Sequence, residues 1–330
     1  MKAAIIGIAG PRLGAEEAAL LRAERPAGVI LFARNVADPA QMRLLTAELR
    51  AALPDGAVLM VDQEGGRVAR LRPPHWPAHP AVGLIGALFA RDAAAGLRAA
   101  YLSGASIGLA CAGAGFDVVC APVLDLRLPG AHQVVGDRGF SADPAEVARL
   151  GRAMAAGLLA AGVQPVGKHA PGHGRAQADS HLSLPVVEAN DLAADLVPFG
   201  GNADLPWMMT AHILYPALDP ALPGTLSAEV IGGQIRGRAG FRGVLVSDDL
   251  AMQALHGTPR ERALGALAAG CDLALYCPGD LDGNRDVLAA VPAITATAQS
   301  RMKAAASLAL GRRIDLNAAD LAAERAALLA

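Results

Sequence analysis

The sequence predicts an α/β protein whose strands close into a (β/α)8 barrel of the TIM type. Three observations carry that reading. Eight short β-type runs alternate with stretches able to form helices, the pattern of a parallel sheet with crossover helices. Three helix starts, Asp38-Pro39-Ala40-Gln41, Asp143-Pro144-Ala145-Glu146 and Thr258-Pro259-Arg260-Glu261, each offer an N-cap, a proline in the first turn and a capping-box partner. The unusual polar residues fall where the runs end, which in a barrel is one face, the face that carries active sites.

The predicted strands are Ala3–Ile8, Gly28–Phe32, Val58–Val61, Phe116–Cys120, Val163–Val166, Trp207–Thr210, Val244–Val246 and Leu273–Cys277, each followed by a helical stretch. After Asp143 the apolar positions Val147, Leu150, Met154 and Leu158 fall three and four apart, giving one buried helix face. The tail from about Ile294 reads as a further helix. No low-complexity segment or charge block marks a second domain, so residues 1–330 are expected to form one catalytic domain; a doubly wound sheet is the alternative.

The 330 residues are 53% hydrophobic but only 3% aromatic, so the core must be aliphatic and closely packed. A net charge of −2 argues against a nucleic-acid or membrane-surface partner. The four cysteines, Cys111, Cys120, Cys271 and Cys277, lack zinc-type spacing and are expected as free thiols in a reducing compartment. The apolar N-terminus is too short for a signal peptide and reads as the first strand. The uncharged stretch from Ala99 to Phe116 is long enough to raise a membrane span, but its glycines and serine point to a buried helix, a turn and the next strand.

The segment from Lys168 to Pro185, KHAPGHGRAQADSHLSLP, is the most pointed candidate for chemistry. It is a polar, turn-rich loop leaving an apolar strand. Asp179 and His181 lie two residues apart, so in an extended segment their side chains point the same way. A carboxylate holding an imidazole suits general acid/base work near neutral pH; a His-rich surface loop or a structural metal site is the alternative. Lys168 and His169 close an apolar strand, where a lysine without a partner would be costly. His173, with Gly172 and Gly174, is expected to shape the loop backbone.

Other strand ends add to the set. The third runs into Asp62-Gln-Glu-Gly-Gly-Arg67 with Arg70 beyond, the fourth ends near Asp125, the sixth at His212 and the seventh in Ser247-Asp248-Asp249. Asp62 and Arg70 suit the hydroxyls of a polar ligand, unless the arginines only neutralise Asp62 and Glu64. Arg138 lies in a tight polar loop, readable as a clasp with Asp137. An apolar strand delivering Asp248 and Asp249 has a desolvation cost unless the acids are paired or used. One is expected to cap the next helix and the other to serve as a nucleophile. His212 reads equally well as a core histidine.

Together these motifs resemble a family. GVILFARN (Gly28–Asn35), VDQEGGRVARL (Val61–Leu71), GDRGFSADP (Gly136–Pro144), KHAPGHG (Lys168–Gly174), DSH (Asp179–His181) and VLVSDDLAM (Val244–Met252) are similar, in order, to the motifs of bacterial β-N-acetylglucosaminidases of glycoside hydrolase family 3. The length matches the compact, single-barrel members that act on cell-wall fragments inside Gram-negative bacteria. The resemblance implies Asp248 as nucleophile, His181 as acid/base with Asp179 as its partner, and Asp62, Arg70, Arg138, Lys168 and His169 as the groups that hold the N-acetylglucosamine ring. It implies a retaining mechanism through a covalent glycosyl-enzyme, with no bound metal or organic cofactor. The implied substrate is a 1,6-anhydro-muropeptide or a chitobiose-like fragment, and the implied setting is a cytoplasmic monomer with no nucleic-acid or membrane partner. The sequence departs from many members at Arg175, where they continue GHG with an aspartate. Rival readings are a phosphorylase with the same site, a non-catalytic amino-sugar-binding barrel, and a metal-dependent hydrolase using His169, His173, His181 and Asp248, for which three histidines crowded on one loop suit a metal poorly.

Overall fold

The computed structural model describes every residue except His181 and Asn190. Eight parallel strands close in sequence order, with β1 hydrogen-bonded to both β2 and β8. They are β1 (Lys2–Gly7), β2 (Pro26–Leu31), β3 (Val58–Val61), β4 (Val118–Val119), β5 (Gln164–Ala170), β6 (Trp207–Thr210), β7 (Val244–Asp249) and β8 (Leu273–Tyr276). Around them lie α1 (Ala15–Glu24), α2 (Pro39–Ala52), α3 (Val82–Arg91), α4 (Ala93–Gly113), α5 (Pro144–Ala160), α6 (Ala193–Gly200), α7 (Pro259–Ala269), α8 (Leu281–Ala290), α9 (Ala296–Arg312) and α10 (Ala318–Leu329). The predicted barrel is present, with three corrections. Two helices rather than one follow β3, and α4 with the turn after it accounts for the uncharged stretch. A π-type segment, Val230–Arg238, takes the place of an α-helix after β6; its adjacent Gly232 and Gly233 leave the backbone free for the wider turn. Finally, β5 runs on through Lys168 and His169 instead of ending before them.

The three predicted helix starts hold as N-caps with a first-turn proline, but the capping box closes only at Thr258 with Glu261; Gln41 accepts from Ala37 N and Glu146 from Ser141 Oγ instead. Asp38 accepts from Ala40 N and Gln41 N, Asp143 from Ala145 N and Glu146 N, and Thr258 from Glu261 N. Each cap satisfies backbone donors that the first turn leaves without partners.

Strand residues alternate between two cores. Ile5, Ile30, Met60, Val118, Cys120, Val166, Trp207, Met209, Val244, Val246 and Leu275 pack together inside the barrel. Their neighbours Ile6, Val29, Leu59, Val119, Met208 and Leu245 pack outward against the helices. This is the two-residue period of a strand buried on both faces. In the outer layer α4 and α5 meet almost backbone to backbone: a Cβ on Gly104 would lie 2.0 Å from Met154 O, and one on Gly157 would lie 2.1 Å from Tyr101 O. All four cysteines are free and buried.

The inward alternation continues past the apolar part of each strand. Beyond Met60 it reaches Asp62, beyond Val166 it reaches Lys168, and beyond Val246 it reaches Asp248. The pleat that fills the barrel with aliphatic side chains thus delivers an acid, a base and a second acid to its C-terminal mouth.

Candidate active site

A cavity of about 220 Å³ opens at that mouth, and Asp62, Glu64, Arg70, Arg138, Lys168, His169, Asp248 and Asp249 line it with Phe32, Val68, Met209, Met252 and Cys277. On the β3 to β5 side the charges form one network. Lys168 Nζ lies 2.8 Å from Asp62 Oδ1 and 2.7 Å from Glu64 Oε1. Arg138 grips Glu64 with two parallel bonds, Nε to Oε2 at 2.8 Å and Nη2 to Oε1 at 2.9 Å. Arg70 Nη2 donates to Asp62 Oδ2 at 3.2 Å, while its buried Nε has no partner among the described residues. The Lys168 side chain is 3% exposed, so its charge depends on those carboxylates. Burial works against the Asp62 and Glu64 charges, but Lys168 with Arg70 or Arg138 outweighs it, leaving Asp62 far below the carboxylate range and Glu64 at about 2. The Asp–Arg clasp read in the sequence also exists, but it is made by Arg67 Nε with Asp137 Oδ1 at 3.2 Å. Arg67 additionally ties down Gln133 O and Val134 O, fixing the loop that carries Arg138.

The floor beside β5 is set by Asp125, to which the sequence reading gave no role. Its Oδ2 lies 2.7 Å from His169 Nδ1, and its Oδ1 accepts the backbone N–H of His169 at 3.2 Å and of His173 at 2.6 Å. Burial raises the Asp125 pKa, but His169 first, then the His173 N–H, bring it down to about 2. An ionised carboxylate only accepts, so His169 carries its proton on Nδ1 and leaves Nε2 unengaged by any described residue. His173, expected to shape the backbone, does so and also binds Ser180 Oγ through Nε2 at 3.1 Å. Arg175 turns out of the site to Asp195 of α6, with Nε 2.7 Å from Oδ2. Asp179 is half-buried and its carbonyl accepts from Leu182 N and Ser183 N. His181 lies outside the described residues, so its pairing with Asp179 is left as the sequence reading states it.

At the end of β7 the two aspartates separate into different duties. Asp249 Oδ1 accepts the N–H groups of Ala251 and Cys277, both at 3.0 Å. It does not cap the next helix, as expected for one of the pair, because that helix starts only at Pro259 and is capped by Thr258; it ties the turn after β7 to the end of β8 instead. Asp248 Oδ1 accepts only the Asp249 N–H, at 2.8 Å, and among the described residues nothing donates to Oδ2. Burial opposes its charge, but His169, His212, that N–H and Lys168 lower its pKa below the usual carboxylate value. Burial and the neighbouring charge raise that of Asp249. Asp248 is therefore an ionised carboxylate at the cavity, with one oxygen to which no described residue donates. His212, 0% exposed, bonds Thr225 Oγ1 and Asp249 O, the satisfied core histidine foreseen as one reading.

Thr225 is absent from the sequence reading, while Glu64 and Asp125 are placed at their strand ends without the roles they take here. For Glu64 a signal was present, since it follows Asp62 by two and shares its inward face.

The buried histidines also set a pH dependence. Burial lowers His173 from 6.5 to about 4, and burial with the Arg325 charge lowers His79 to about 4. Above 6.5 both are neutral in either state and their stabilisation is complete. Between 6.5 and 4 the unfolded chain takes up protons that the folded chain refuses, so stability falls as pH falls. The expected loss between pH 7 and 5 is roughly 2 kcal/mol per histidine, measurable by urea unfolding. His79→Gln is expected to remove one such contribution, and an unchanged slope would contradict it.

The chain matches the model of the glycosyl hydrolase family 3 N terminal domain over residues 3–308. It is 44% identical over 283 residues to a beta-hexosaminidase of Alkalilimnicola ehrlichii, covering 83% of this chain and 80% of the relative. It is 40% identical over 280 residues to one of Bordetella avium, covering 83% and 79%. Among solved structures it resembles NagZ from Neisseria gonorrhoeae in complex with N-trifluoroacetyl-D-glucosamine, with a TM-score of 0.89 and 32% identity over 100% of this chain and 98% of that one. It also resembles a glycoside hydrolase family 3 beta-N-acetylglucosaminidase from Paenibacillus, with a TM-score of 0.79 and 31% identity over 98% of this chain and 61% of that one. Among the described residues no helix is long and apolar enough to cross a membrane. The chain belongs to glycosyl hydrolase family 3 and is a glycoside hydrolase of the β-N-acetylhexosaminidase type.

Proposed function

We propose that this protein is a retaining exo-β-N-acetylglucosaminidase that removes terminal N-acetylglucosamine from cell-wall fragments, 1,6-anhydro-muropeptides above all. The observation that carries this reading is the division between the two aspartates: Asp249 is committed to backbone donors while Asp248 is ionised with one oxygen to which no described residue donates. Asp248 attacks the anomeric carbon, giving a covalent glycosyl-enzyme. His181, oriented by Asp179, protonates the departing oxygen and then takes a proton from the water that releases the sugar. Asp62, Arg70, Arg138, Lys168 and His169 hold the ring. Arg70 Nε and His169 Nε2 bring donor or acceptor capacity that no described residue uses, and Arg138 is also bonded twice to Glu64, which in turn pairs with Lys168. The residues of the whole chain serve this one barrel, as a monomer in the cytoplasm.

Supplying the enzyme with N-acetylglucosaminyl-1,6-anhydromuramyl peptide and, separately, with chitobiose tests the substrate. Free N-acetylglucosamine from both, with the muropeptide turned over at higher kcat/KM, is the expected result. Sugar 1-phosphate formed in phosphate buffer, or no release from either substrate, would overturn the proposal.

A further inference from the structure

Behind Asp248, between the barrel and the helices, lies a chain of polar groups in otherwise apolar packing. Thr210, His212 and Thr225 are all 0% exposed. Thr210 is the last residue of β6, and His212 lies just beyond it. Thr225 comes from a returning loop whose Gly224 N–H bonds Ile213 O at 2.7 Å. A Cβ on Gly224 would lie 3.2 Å from Ala211 O, so the loop seats closely against the strand end.

The contacts run Asp248 N to Thr210 Oγ1 at 3.4 Å, Thr210 Oγ1 to Thr225 Oγ1 at 2.7 Å, Thr225 Oγ1 to His212 Nδ1 at 2.7 Å, and His212 Nε2 to Asp249 O at 2.9 Å. Proton bookkeeping gives them a direction. Asp249 O is a carbonyl and only accepts, so His212 Nε2 carries a proton. A neutral ring then accepts at Nδ1, and the Thr225 hydroxyl donates there. Thr225 in turn accepts from Thr210, which accepts from the Asp248 N–H. The alternative, Thr225 donating to Ala211 O at 3.1 Å, would require both ring nitrogens to be protonated in a fully buried site; burial lowers the His212 pKa, which agrees with the neutral ring. The circuit therefore begins at the N–H of Asp248 and ends at the carbonyl of the next residue.

We propose that Thr225 is a positioning residue for Asp248: it closes this circuit and so fixes the backbone from which the Asp248 carboxylate projects. This rests on the reading of Asp248 as the nucleophile. Asp249, already tied through its carboxylate to Ala251 and Cys277, is then held on its carbonyl as well. The only freedom left to Asp248 is its own side-chain torsions, and Asp249 N–H restricts those. Three polar side chains in an apolar layer are costly unless fully bonded, and here every one is bonded in a single direction.

The test is steady-state hydrolysis of 4-nitrophenyl N-acetyl-β-glucosaminide by wild type, Thr225→Val, Thr225→Ser and Asp248→Asn, with melting temperatures. Thr225→Val keeps shape but removes the hydroxyl, and kcat is expected to fall about tenfold to hundredfold with KM little changed. Thr225→Ser is expected to restore kcat. An unimpaired kcat in Thr225→Val overturns the proposal, as does a loss in both variants that simply tracks melting temperature. If Thr225→Val does not fold, the wild-type imidazole ¹⁵N spectrum decides: His212, assigned through its shift in Thr225→Ser, is expected neutral with its proton on Nε2, and a proton on Nδ1 overturns the circuit. An active Asp248→Asn would instead overturn the nucleophile reading, so the two failures are distinguishable.

Discussion

Asp248→Asn is expected to lower kcat by about 10⁴-fold or more, the scale seen when a covalent nucleophile is removed. The amide has neither the charge nor the nucleophilicity to form an ester at the anomeric carbon. Asp249 cannot stand in, because its Oδ1 is committed to the Ala251 and Cys277 N–H groups. The fold should be indifferent, since an asparagine oxygen can still accept the Asp249 N–H that Asp248 Oδ1 accepts at 2.8 Å. A melting temperature near that of wild type, with N-acetylglucosamine still bound, would separate lost chemistry from lost structure. A variant within tenfold of the wild-type rate would contradict the role.

Lys168→Met is expected to be the most destabilising single change at the site, by about 3–5 kcal/mol in urea unfolding. Lys168 Nζ serves two buried carboxylates at once. Methionine fills its volume but leaves Asp62 with Arg70 alone and Glu64 with Arg138 alone. The pH dependence identifies the cause. In wild type the Glu64 pKa is held at about 2 against an ordinary 4.5, so its contribution is present above 4.5 and is lost as pH falls toward 2. In the variant both carboxylate pKa values rise and protonation relieves the unpaired charge. The stability gap to wild type should therefore narrow below about pH 4.5. A gap constant with pH would point to packing instead.

The barrel was legible because its two signals are local. Alternating runs set the strand count, and caps such as Asp38 and Asp143 marked helix starts. The corrections arise where tertiary contacts decide. Lys168 belongs to β5 because Asp62 and Glu64, far away in sequence, make its burial possible. Which of Asp248 and Asp249 is free was left open by the residues themselves and fixed only by the family resemblance. The inward series Val244, Val246, Asp248 held a signal for it, one that the irregular register between Val246 and Asp249 makes harder to trust from sequence. Ser247 Oγ accepts the Leu275 N–H where the register breaks. The place of Asp125 at a strand end was legible but not its role, and Thr225 was not legible at all. Their roles depend on His169 and His212, partners whose orientation only the closed barrel settles.

The central claim is that Asp248 forms a covalent bond to the sugar, and trapping that intermediate tests it most directly. A 5-fluoro-N-acetylglucosaminyl fluoride slows both chemical steps while its good leaving group favours the first, so the adduct accumulates. Proteolysis and mass spectrometry of the wild-type protein should place the added sugar on Asp248, Asp248→Asn should carry none, and the first product released should be the β-anomer. An adduct on another residue, or no adduct together with an α-anomeric product, would contradict it.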